Sequence, residues 1–451
     1  MTKFLIYARE LFKKEGKLDI QEIEKGFRAA ALKDGDAVFR QFLSSIEVTL
    51  PGCPECFATL TKIVERDKII VSLLGTGEFQ RTYFKCPNGH GYFTPFDEIL
   101  GIQGTSYTPG VRLAVSKLAS SGSFEWTSGV LEEIAEIYVS PKEVQRISES
   151  AGETIEAKNI GRIEAVKRPE PSRSGLSEPY GPTICNNATF YIEYDGSGIP
   201  MMRKELVGRN GKQPDGSAKT REVKLGCTFT QSVFDEKGNP VRDKNSTSYV
   251  GSIECAEDFG WRIYAEANRR GMGSYARTVI IGDGAKWIWG IADQHFPNAI
   301  HIVDLYHAKE HLYGLVRYLF QNQKEQSDAL DDWIKELEAG NIEGLVAKIL
   351  AVTGLNDAQK DKAITEANYF IENADRMRYA KFEKLNLFVG SGVVEAGCKT
   401  VIGDRLKQSG MFWSLRGANA IIALRCADLS CNEDLASHFE PKSNFKISTS
   451  A

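Results

Sequence analysis

Three aspartates in the second half of the chain most constrain its fold, because each follows an apolar run. Asp195 follows Phe-Tyr-Ile-Glu-Tyr, Asp283 follows Val-Ile-Ile-Gly, and Asp304 follows His-Ile-Val. Short apolar runs predict buried strands, and functional groups gather at the carboxyl ends of strands in α/β sheets. A fourth carboxylate, Glu395, lies in Gly-Ser-Gly-Val-Val-Glu, where a helix is predicted to begin. We therefore expect these four side chains to converge on one face of a sheet.

Carboxylate oxygens in a cluster are the ligands that Mg²⁺ prefers. Two such ions in one site drive in-line phosphoryl transfer on nucleic acids, so the pattern predicts a nuclease or a DNA strand-transfer enzyme. Each residue also has a plainer interpretation. Asp195 precedes a glycine, as in common turns, and Glu395 would be favoured at a helix N-terminus by the macrodipole. Strand alternation places Glu193 on the same face as Asp195, so either carboxylate can join the cluster.

Asp304 allows a different metal site. His307 and His311 follow it on one face of a predicted helix, and the three side chains alone would suit a transition metal. That set predicts a metal-dependent hydrolase of another class. Alternatively, Asp304 caps the helix and both histidines are surface residues.

The order of predicted elements from residue 189 onwards indicates an α/β domain. Three strands are followed by a helix, a strand, a helix and a strand, which matches the order of a ribonuclease-H-like core. The predicted ranges are 189–194, 222–234, 247–255, 258–270, 277–281, 286–295 and 299–303. From His307 to about Tyr379 the pattern is almost entirely helical.

A second candidate site lies near the N-terminus. Cys53 and Cys56 form a Cys-x₂-Cys pair, and Cys86 and His90 form a Cys-x₃-His pair. Three thiolates and one imidazole suit tetrahedral Zn²⁺, and no ligand position remains open, so the predicted zinc is structural. The other cysteines show no paired spacing, which favours reduced cytosolic thiols over disulfides.

The sequence between the two pairs is predicted to be rich in β-structure, whereas the segments 1–50 and 100–157 are predicted to be helical. The segment 100–157 contains three helices, and the third begins with Ser140 as N-cap, Pro141 at the first position and Glu143 completing a capping box. This arrangement is typical of a helix-turn-helix, although an ordinary helical connector gives the same pattern. A stretch rich in Pro, Ser, Gly and charge at 158–188 predicts a linker.

The net charge of −4 counts mildly against a nucleic-acid partner. Basic residues nevertheless concentrate at 203–224 and 399–416, which predicts local phosphate-binding surface or ordinary solvated surface. Within the second stretch, Arg405, Lys407 and Trp413 are expected to hold a phosphate backbone and stack a base. No apolar run is long enough for a membrane span, and no secretory leader is evident, so a cytosolic location is the expectation.

Several stretches resemble the DDE transposases of bacterial insertion sequences, in the Mutator-like superfamily and most closely its Kra-type group. The resemblance spans roughly 194–426 and extends more loosely to the cysteine knuckle and to Pro-Phe-Asp at 95–97. The sequences that carry it begin at Tyr194 (Tyr-Asp-Gly-Ser-Gly-Ile-Pro-Met), Glu222 (Glu-Val-Lys-Leu-Gly-Cys), Gly282 (Gly-Asp-Gly-Ala-Lys-Trp-Ile-Trp), His295 (His-Phe-Pro-Asn-Ala-Ile-His-Ile-Val-Asp-Leu-Tyr-His-Ala), Gly390 (Gly-Ser-Gly-Val-Val-Glu) and Arg405 (Arg-Leu-Lys-Gln-Ser-Gly-Met-Phe-Trp).

The resemblance implies a ribonuclease-H-like catalytic core with a helical insertion. Carried over by position, Asp195, Asp283 and Glu395 are the catalytic residues and hold two Mg²⁺ ions, with Mn²⁺ able to substitute. Asp304 and His307 form an auxiliary pair. Because Asp304 also follows a predicted strand, its position alone would equally suit the second catalytic aspartate in place of Asp283. The implied activity is hydrolysis of a phosphodiester at a transposon end, followed by attack of the freed 3′-hydroxyl on target DNA.

The implied partners are double-stranded DNA, at terminal inverted repeats and at the target, and further copies of the chain, because two DNA ends must be joined. The implied location is the bacterial cytoplasm, with association to the nucleoid on DNA. The alternative is a domesticated transposase that acts as a sequence-specific DNA-binding protein. The expected organisation begins with an N-terminal helical region at 1–50, a zinc-ribbon-like knuckle at 51–99, a helix-turn-helix-like region at 100–157 and a linker at 158–188. The first part of the core follows at 189–315, then a helical insertion at 316–385, the last part of the core at 386–430 and a tail at 431–451.

Overall fold

The computed structural model describes residues 6, 20–48, 52–168, 187–211, 213, 216–431, 435–441, 443, 445 and 447–449. The chain divides into two compact units, one of residues 1–148 and 435–451 and one of residues 149–434. Both contain helices and strands, so the predicted multidomain α/β class is confirmed at this level. No helix among these residues is long and apolar enough to cross a membrane.

The first unit is built around an antiparallel sheet of the order β2-β3-β4. Strands β2 and β3 form a hairpin in which Ser72 pairs with Gly75. Gly75 has a φ of 147°, which a side chain would disfavour. The elements of this unit are α1 (Ile20–Ser44), β1 (Ile46–Val48), β2 (Thr61–Ser72), β3 (Gly75–Lys85), β4 (Tyr92–Phe93), α2 (Pro95–Ile99), α3 (Pro109–Ser121), α4 (Phe124–Ala135), the start of α5 (Pro141–Lys167), a 3₁₀ turn (Leu435–His438) and β12 (Ile447–Thr449), which pairs with β1.

The three helices α3, α4 and α5 begin at hydroxyl N-caps. The side chains of Thr108, Ser123 and Ser140 accept hydrogen bonds from amides three residues ahead, which satisfies donors that a helix leaves open. The predicted cap at Ser140 is therefore confirmed. Glu143 pairs with Arg146, so only the Ser140 half of the predicted capping box is observed.

Helix α5 continues to Lys167, so the predicted linker at 158–188 begins too early. The helix continues because its apolar stripe does. Ile155 and Ile163, two helical turns apart, are both buried. Residues 169–186 of the predicted linker lie outside the described residues.

The second unit contains a five-stranded mixed sheet of the order β11-β10-β5-β6-β9. Strand β6 is antiparallel to both of its neighbours, β5 and β9, whereas β10 and β11 run parallel to β5. The strands and the helices that connect them are β5 (Thr189–Pro200), a 3₁₀ turn (Arg203–Leu206), β6 (Thr220–Gln231), β7 (Val233–Phe234), β8 (Pro240–Val241), β9 (Ser248–Ser252), α6 (Ala256–Arg269), a 3₁₀ turn (Met272–Ser274), β10 (Arg277–Gly282), α7 (Lys286–His295) and β11 (Ile300–Val303).

Helices cover both faces of this sheet. Gly226 of β6 lies against Ile263 of α6, and its neighbour Leu225 lies against Gly397 on the other face. Successive strand residues point to opposite faces, so these contacts define two helical layers. The elements after β11 are α8 (Leu305–Leu319), α9 (Gln323–Glu338), α10 (Ile342–Leu350), α11 (Asp357–Glu372), a 3₁₀ turn (Ala374–Met377), α12 (Tyr379–Lys384), α13 (Gly392–Gly397), a π-helical segment (Cys398–Gly403), α14 (Asp404–Leu406) and α15 (Leu415–Leu429).

The long helical stretch predicted between β11 and Glu395 is observed. Helices α9, α10 and α11 begin at asparagine N-caps, Asn322, Asn341 and Asn356. Asparagine oxygens accept from the first free amides of a helix. The helical character of this region was predicted from the sequence, whereas its individual helix starts were not.

Candidate functional site

The three aspartates occupy equivalent register positions on neighbouring parallel strands. Ile281 of β10 pairs with Glu193 of β5. Asp283 comes two residues after Ile281, and Asp195 comes two residues after Glu193. Gly282 of β10 pairs with Val303 of β11. Asp283 is the residue after Gly282, and Asp304 is the residue after Val303. Neighbouring strands lie about 4.8 Å apart. The predicted convergence of these aspartates at one edge of the sheet is thus present in the backbone.

Asp195 does not end its strand, contrary to the prediction. Strand β5 continues in antiparallel pairing with β6 to Pro200, whereas its parallel pairing with β10 stops at Glu193. Asp195 therefore lies where β10 leaves the sheet and one side of β5 becomes open. Its Oδ1 accepts a hydrogen bond from the Gly196 amide at 2.6 Å.

The charges around Asp195 are those of the predicted cluster. Burial raises the pKa of Asp195, and the nearby carboxylates of Asp283 and Glu395 raise it further. The Sγ of Cys398 lies 3.6 Å from Asp195 Oδ2. The three predicted catalytic carboxylates are thus close enough to repel one another.

Asp283 opens the turn between β10 and α7. Its Oδ1 accepts from the Ala285 amide at 2.8 Å. The next residue, Gly284, lies directly against Tyr369 of α11, and a Cβ built on Gly284 would be 2.1 Å from Tyr369 Cε2. A helix of the predicted insertion therefore fixes the turn that carries Asp283.

Asp304 is buried, with 1% of its surface exposed, and both of its oxygens are used within the protein. Oδ1 accepts from the His307 amide at 2.8 Å and so caps α8. Oδ2 accepts from the amide and from the hydroxyl of Ser391, the latter at 2.7 Å. The capping alternative for Asp304 describes this geometry.

Ser391 links Asp304 to Glu395. Its Oγ lies 2.9 Å from Glu395 Oε1 as well as near Asp304, and since a hydroxyl carries one proton it donates to one of them at a time. On β5, the fully buried carboxyl group of Glu193 accepts a hydrogen bond from the Val394 amide at 2.8 Å. These two contacts hold the start of α13 against the sheet, with Glu395 exposed beside the aspartates.

The histidines do not complete a site with Asp304. His311 Nδ1 lies 2.7 Å from Glu366 Oε2, and its ring stacks on Tyr369 with centroids 4.0 Å apart. His307 Nδ1 lies 3.7 Å from Glu310 Oε2. Both rings are therefore oriented towards side chains other than Asp304.

In the part of the chain that the structure describes, one group of three or more potential metal ligands has all its donor atoms within 4.8 Å of one another, namely Cys53, Cys56, Cys86 and His90. Asp195, Asp283 and Glu395 are not gathered to that distance. Their oxygens are chemically suited to Mg²⁺. The Asp304, His307 and His311 set is not gathered either.

The cysteine and histidine cluster could hold a zinc ion. Cys56 Sγ lies 3.6 Å from Cys86 Sγ, and Cys86 Sγ lies 3.5 Å from His90 Nδ1. Ligands about 2.3 Å from a tetrahedral zinc are separated by about 3.8 Å. A hydrogen bond from the Ala58 amide lowers the pKa of the Cys56 thiol to about 6, which favours the thiolate that a metal needs.

The predicted DNA contacts of Arg405 and Trp413 are corrected by their burial. Arg405 is 0% exposed and Trp413 is 6% exposed, and the guanidinium lies over the indole at 5.1 Å. The Trp413 Nε1 donates to the Leu406 carbonyl at 3.0 Å. Only Lys407 is exposed, and its Nζ donates to Ser197 Oγ at 2.7 Å.

Sequence reasoning missed Ser391 and Tyr369. Ser391 stands one helical turn before Glu395, and this spacing is a signal that the two side chains can meet. Tyr369 has no local signal, because it reaches the Asp283 turn from a helix far along the chain.

A search of curated proteins found no match. A family model described as an uncharacterised protein family, UPF0236, matches residues 211–441. The matched region includes Asp283, Asp304 and Glu395 and begins after Asp195. Because it covers just over half of the 451 residues, the chain belongs to the uncharacterised protein family UPF0236.

Proposed function

We propose that this protein is a Mutator-like DDE transposase that cleaves the ends of an insertion sequence and transfers them to target DNA. The observation that carries the proposal is the shared register of Asp195 and Asp283 on neighbouring parallel strands. Glu395 is held beside them through Ser391 and through the Val394 amide. Two aspartates on adjacent strands and a glutamate from a covering helix are the side chains that the transposase resemblance requires.

The topology of the sheet supports a ribonuclease-H-like core. Three antiparallel strands come first, and α6 and α7 then connect two strands that run parallel to β5. The first strand lies at the centre, with antiparallel strands on one side and parallel strands on the other. The predicted helical insertion falls between β11 and the helix that carries Glu395.

Asp195, Asp283 and Glu395 would hold Mg²⁺, for which Mn²⁺ would substitute. When bound, the two ions would activate the attacking oxygen and neutralise charge on the leaving oxygen. Asp283 is the better choice for the second aspartate, because its Oδ2 accepts no hydrogen bond from the described residues, whereas Asp304 accepts from three donors. Asp304 acts as a positioning residue that fixes Ser391 and, through it, Glu395.

Exposed lysines around the carboxylates would receive the DNA backbone. Lys286 follows Asp283 in the first turn of α7, Lys399 follows Glu395 by one helical turn, and Lys407 reaches the end of β5. Lysines that neutralise phosphates provide most of the affinity for DNA. Their position near the carboxylates would place a phosphodiester within reach of the site even though the chain as a whole is acidic.

The first unit would recognise the terminal inverted repeats, since it carries the zinc-ribbon-like cluster and the capped helices α3 to α5. Two DNA ends must be joined in one reaction, so a homodimer or larger assembly on DNA in the cytoplasm is part of the proposal. A second candidate function is a domesticated transposase that only binds DNA. Among the described residues, the three carboxylates do not form as tight a ligand group as the cysteine and histidine cluster does, which favours that candidate. The engaged oxygens of Asp304 disfavour the hydrolase built on Asp304, His307 and His311.

Cleavage of labelled duplexes that carry the DNA flanking the coding region tests the proposal. We expect Mg²⁺-dependent nicking at one boundary by the wild-type protein. The nicking should be lost in Asp195→Asn, Asp283→Asn and Glu395→Gln at unchanged DNA binding. Tight binding without nicking in both Mg²⁺ and Mn²⁺ would instead favour the DNA-binding regulator.

A further inference from the structure

The first unit contains an open groove that the proposed catalytic site does not use. Its volume is about 640 Å³, and it is lined by β2, β3, β4, α2, the loop before α3 and the first turns of α5. Pockets for small ligands commonly measure about 300–1,000 Å³. The groove is therefore large enough for a ligand the size of a nucleotide.

The floor of the groove is a buried ionic network centred on Asp97. Lys68 Nζ donates to Asp97 Oδ2 at 3.0 Å and to the Ile102 carbonyl at 2.7 Å, and Arg81 donates to the same Asp97 oxygen. Asp97 is 3% exposed. This network gives a role to the Pro-Phe-Asp sequence at 95–97.

Two polar atoms in this network are left without a hydrogen-bond partner in the described chain, Asp97 Oδ1 and Arg81 Nε. One is an acceptor and the other a donor. Buried polar groups are almost always paired in folded proteins. Both atoms are closed off from solvent, so a ligand in the groove does not reach them unless the floor rearranges.

The walls of the groove are aromatic. Tyr83, Tyr92 and Tyr107 line the groove. Tyr92 lies at the edge of the groove, with 67% of its surface exposed. The Arg66 and Arg81 guanidinium groups lie 5.3 and 5.1 Å from the Tyr83 ring centroid. Aromatic faces beside arginines are the surfaces on which bases of single strands stack.

The rim adds positive charge. Arg146 of α5 lines the groove beside Glu143, with about half of its side chain exposed. Three cations therefore line the groove against two carboxylates, Asp97 and Glu143. A ligand with a flat ring and a negative group matches the walls and the rim of the groove.

We propose that this groove binds one nucleotide, with the base against the tyrosines and the phosphate near Arg146. The nucleotide is either free or an unpaired residue of a DNA strand, since both present the same chemistry. The proposal does not rest on the catalytic carboxylates and survives if the transposase assignment fails.

The test is titration of the full-length protein with dCMP, dTMP, inorganic phosphate, single-stranded oligo-dC and a duplex of the same length. We expect saturable binding of dCMP or oligo-dC, tighter than that of inorganic phosphate. Tyr92→Leu and Arg146→Gln should each weaken binding about tenfold, which corresponds to the loss of one stacked base. Both residues are exposed, so these changes leave the core of the unit intact.

The matched control is Phe42→Leu, which removes an exposed aromatic ring of α1 outside the groove, and it should bind as the wild type does. Binding of dCMP identifies a free-nucleotide site, whereas binding of oligo-dC alone identifies an unpaired strand residue. The proposal is overturned if neither cytosine probe binds, if Tyr92→Leu and Arg146→Gln bind like the wild type, or if phosphate alone binds as tightly as dCMP.

Discussion

Asp304 and Ser391 are joined by two hydrogen bonds, one from the amide and one from the hydroxyl of Ser391 to the same carboxylate oxygen. The two residues are separated by 87 positions in the sequence. The contact therefore ties the carboxyl end of β11 to the residue before α13. Because Ser391 also contacts Glu395, Asp304 controls where the glutamate stands without itself being open to a ligand.

Replacement of Asp304 should cost stability, whereas replacement of Asp283 should not. Asp304→Ala leaves the amides of Ser391 and His307 without their acceptor, which we expect to destabilise the protein by roughly 3 kcal/mol. Asp283→Ala removes one acceptor at a half-buried turn and should cost about 1 kcal/mol or less. Urea unfolding of the metal-free proteins measures both values. Equal losses would mean that the two aspartates play similar structural roles.

A side chain at Gly284 should disturb the Asp283 turn. Gly284→Ala places a Cβ 2.1 Å from Tyr369 Cε2, so the turn or α11 must shift at a cost of about 1–3 kcal/mol. We expect at least a tenfold loss of DNA cleavage. Gly290→Ala is the control, because nothing lies within 4 Å of a Cβ there. Wild-type cleavage by Gly284→Ala would show that the position of Asp283 tolerates this shift.

Replacement of Arg405 should lower the stability of the protein, whereas replacement of Lys407 should weaken its binding to DNA. Arg405→Ala removes a buried cation that packs on Trp413 and should lower the free energy of unfolding by about 2–4 kcal/mol. Lys407→Ala should leave stability within about 0.5 kcal/mol and reduce the salt dependence of DNA binding by about one ion. Thermal unfolding and binding across a salt series give the two readouts. Loss of DNA affinity with unchanged stability in Arg405→Ala would contradict the buried role.

Zinc should support the first unit. We expect about one zinc per chain by elemental analysis and loss of that zinc in Cys86→Ser, together with a lower unfolding temperature, because metal binding and folding are linked. Cys255→Ser is the control, since Cys255 is exposed and lies outside the cluster. A chain that holds no zinc, or that keeps its unfolding temperature after chelation, would exclude a structural metal.

The sequence was most informative where structure depends on local spacing. The Cys-x₂-Cys and Cys-x₃-His pairs predicted the tight ligand cluster found among the described residues, and the Ser140 cap predicted the start of α5. Local pattern also located the helices after β11. These features depend on neighbours within a few residues, which a single sequence records.

Features that depend on distant contacts were not predictable. Basic and aromatic residues around Trp413 have the composition of a DNA-binding surface, but the Met202 amide donates to the Trp413 carbonyl at 2.9 Å and brings that segment onto the end of β5. Strand β5 passes Asp195 because β6 provides partners as far as Pro200. Neither partner lies near these residues in the sequence.

Transfer of a pre-cut DNA end is the measurement that tests the central claim most directly. A labelled duplex ending in a 3′-hydroxyl at the boundary of the flanking DNA is incubated with the protein, Mg²⁺ and a target plasmid. We predict plasmid covalently joined to the labelled strand with the wild-type protein and with Phe42→Leu, and none with Asp195→Asn or Glu395→Gln. The assignment would be contradicted if joined product persists with Asp195→Asn and Glu395→Gln. It would also be contradicted if a folded wild-type protein binds either flank in Mg²⁺ or Mn²⁺ and yields no joined product.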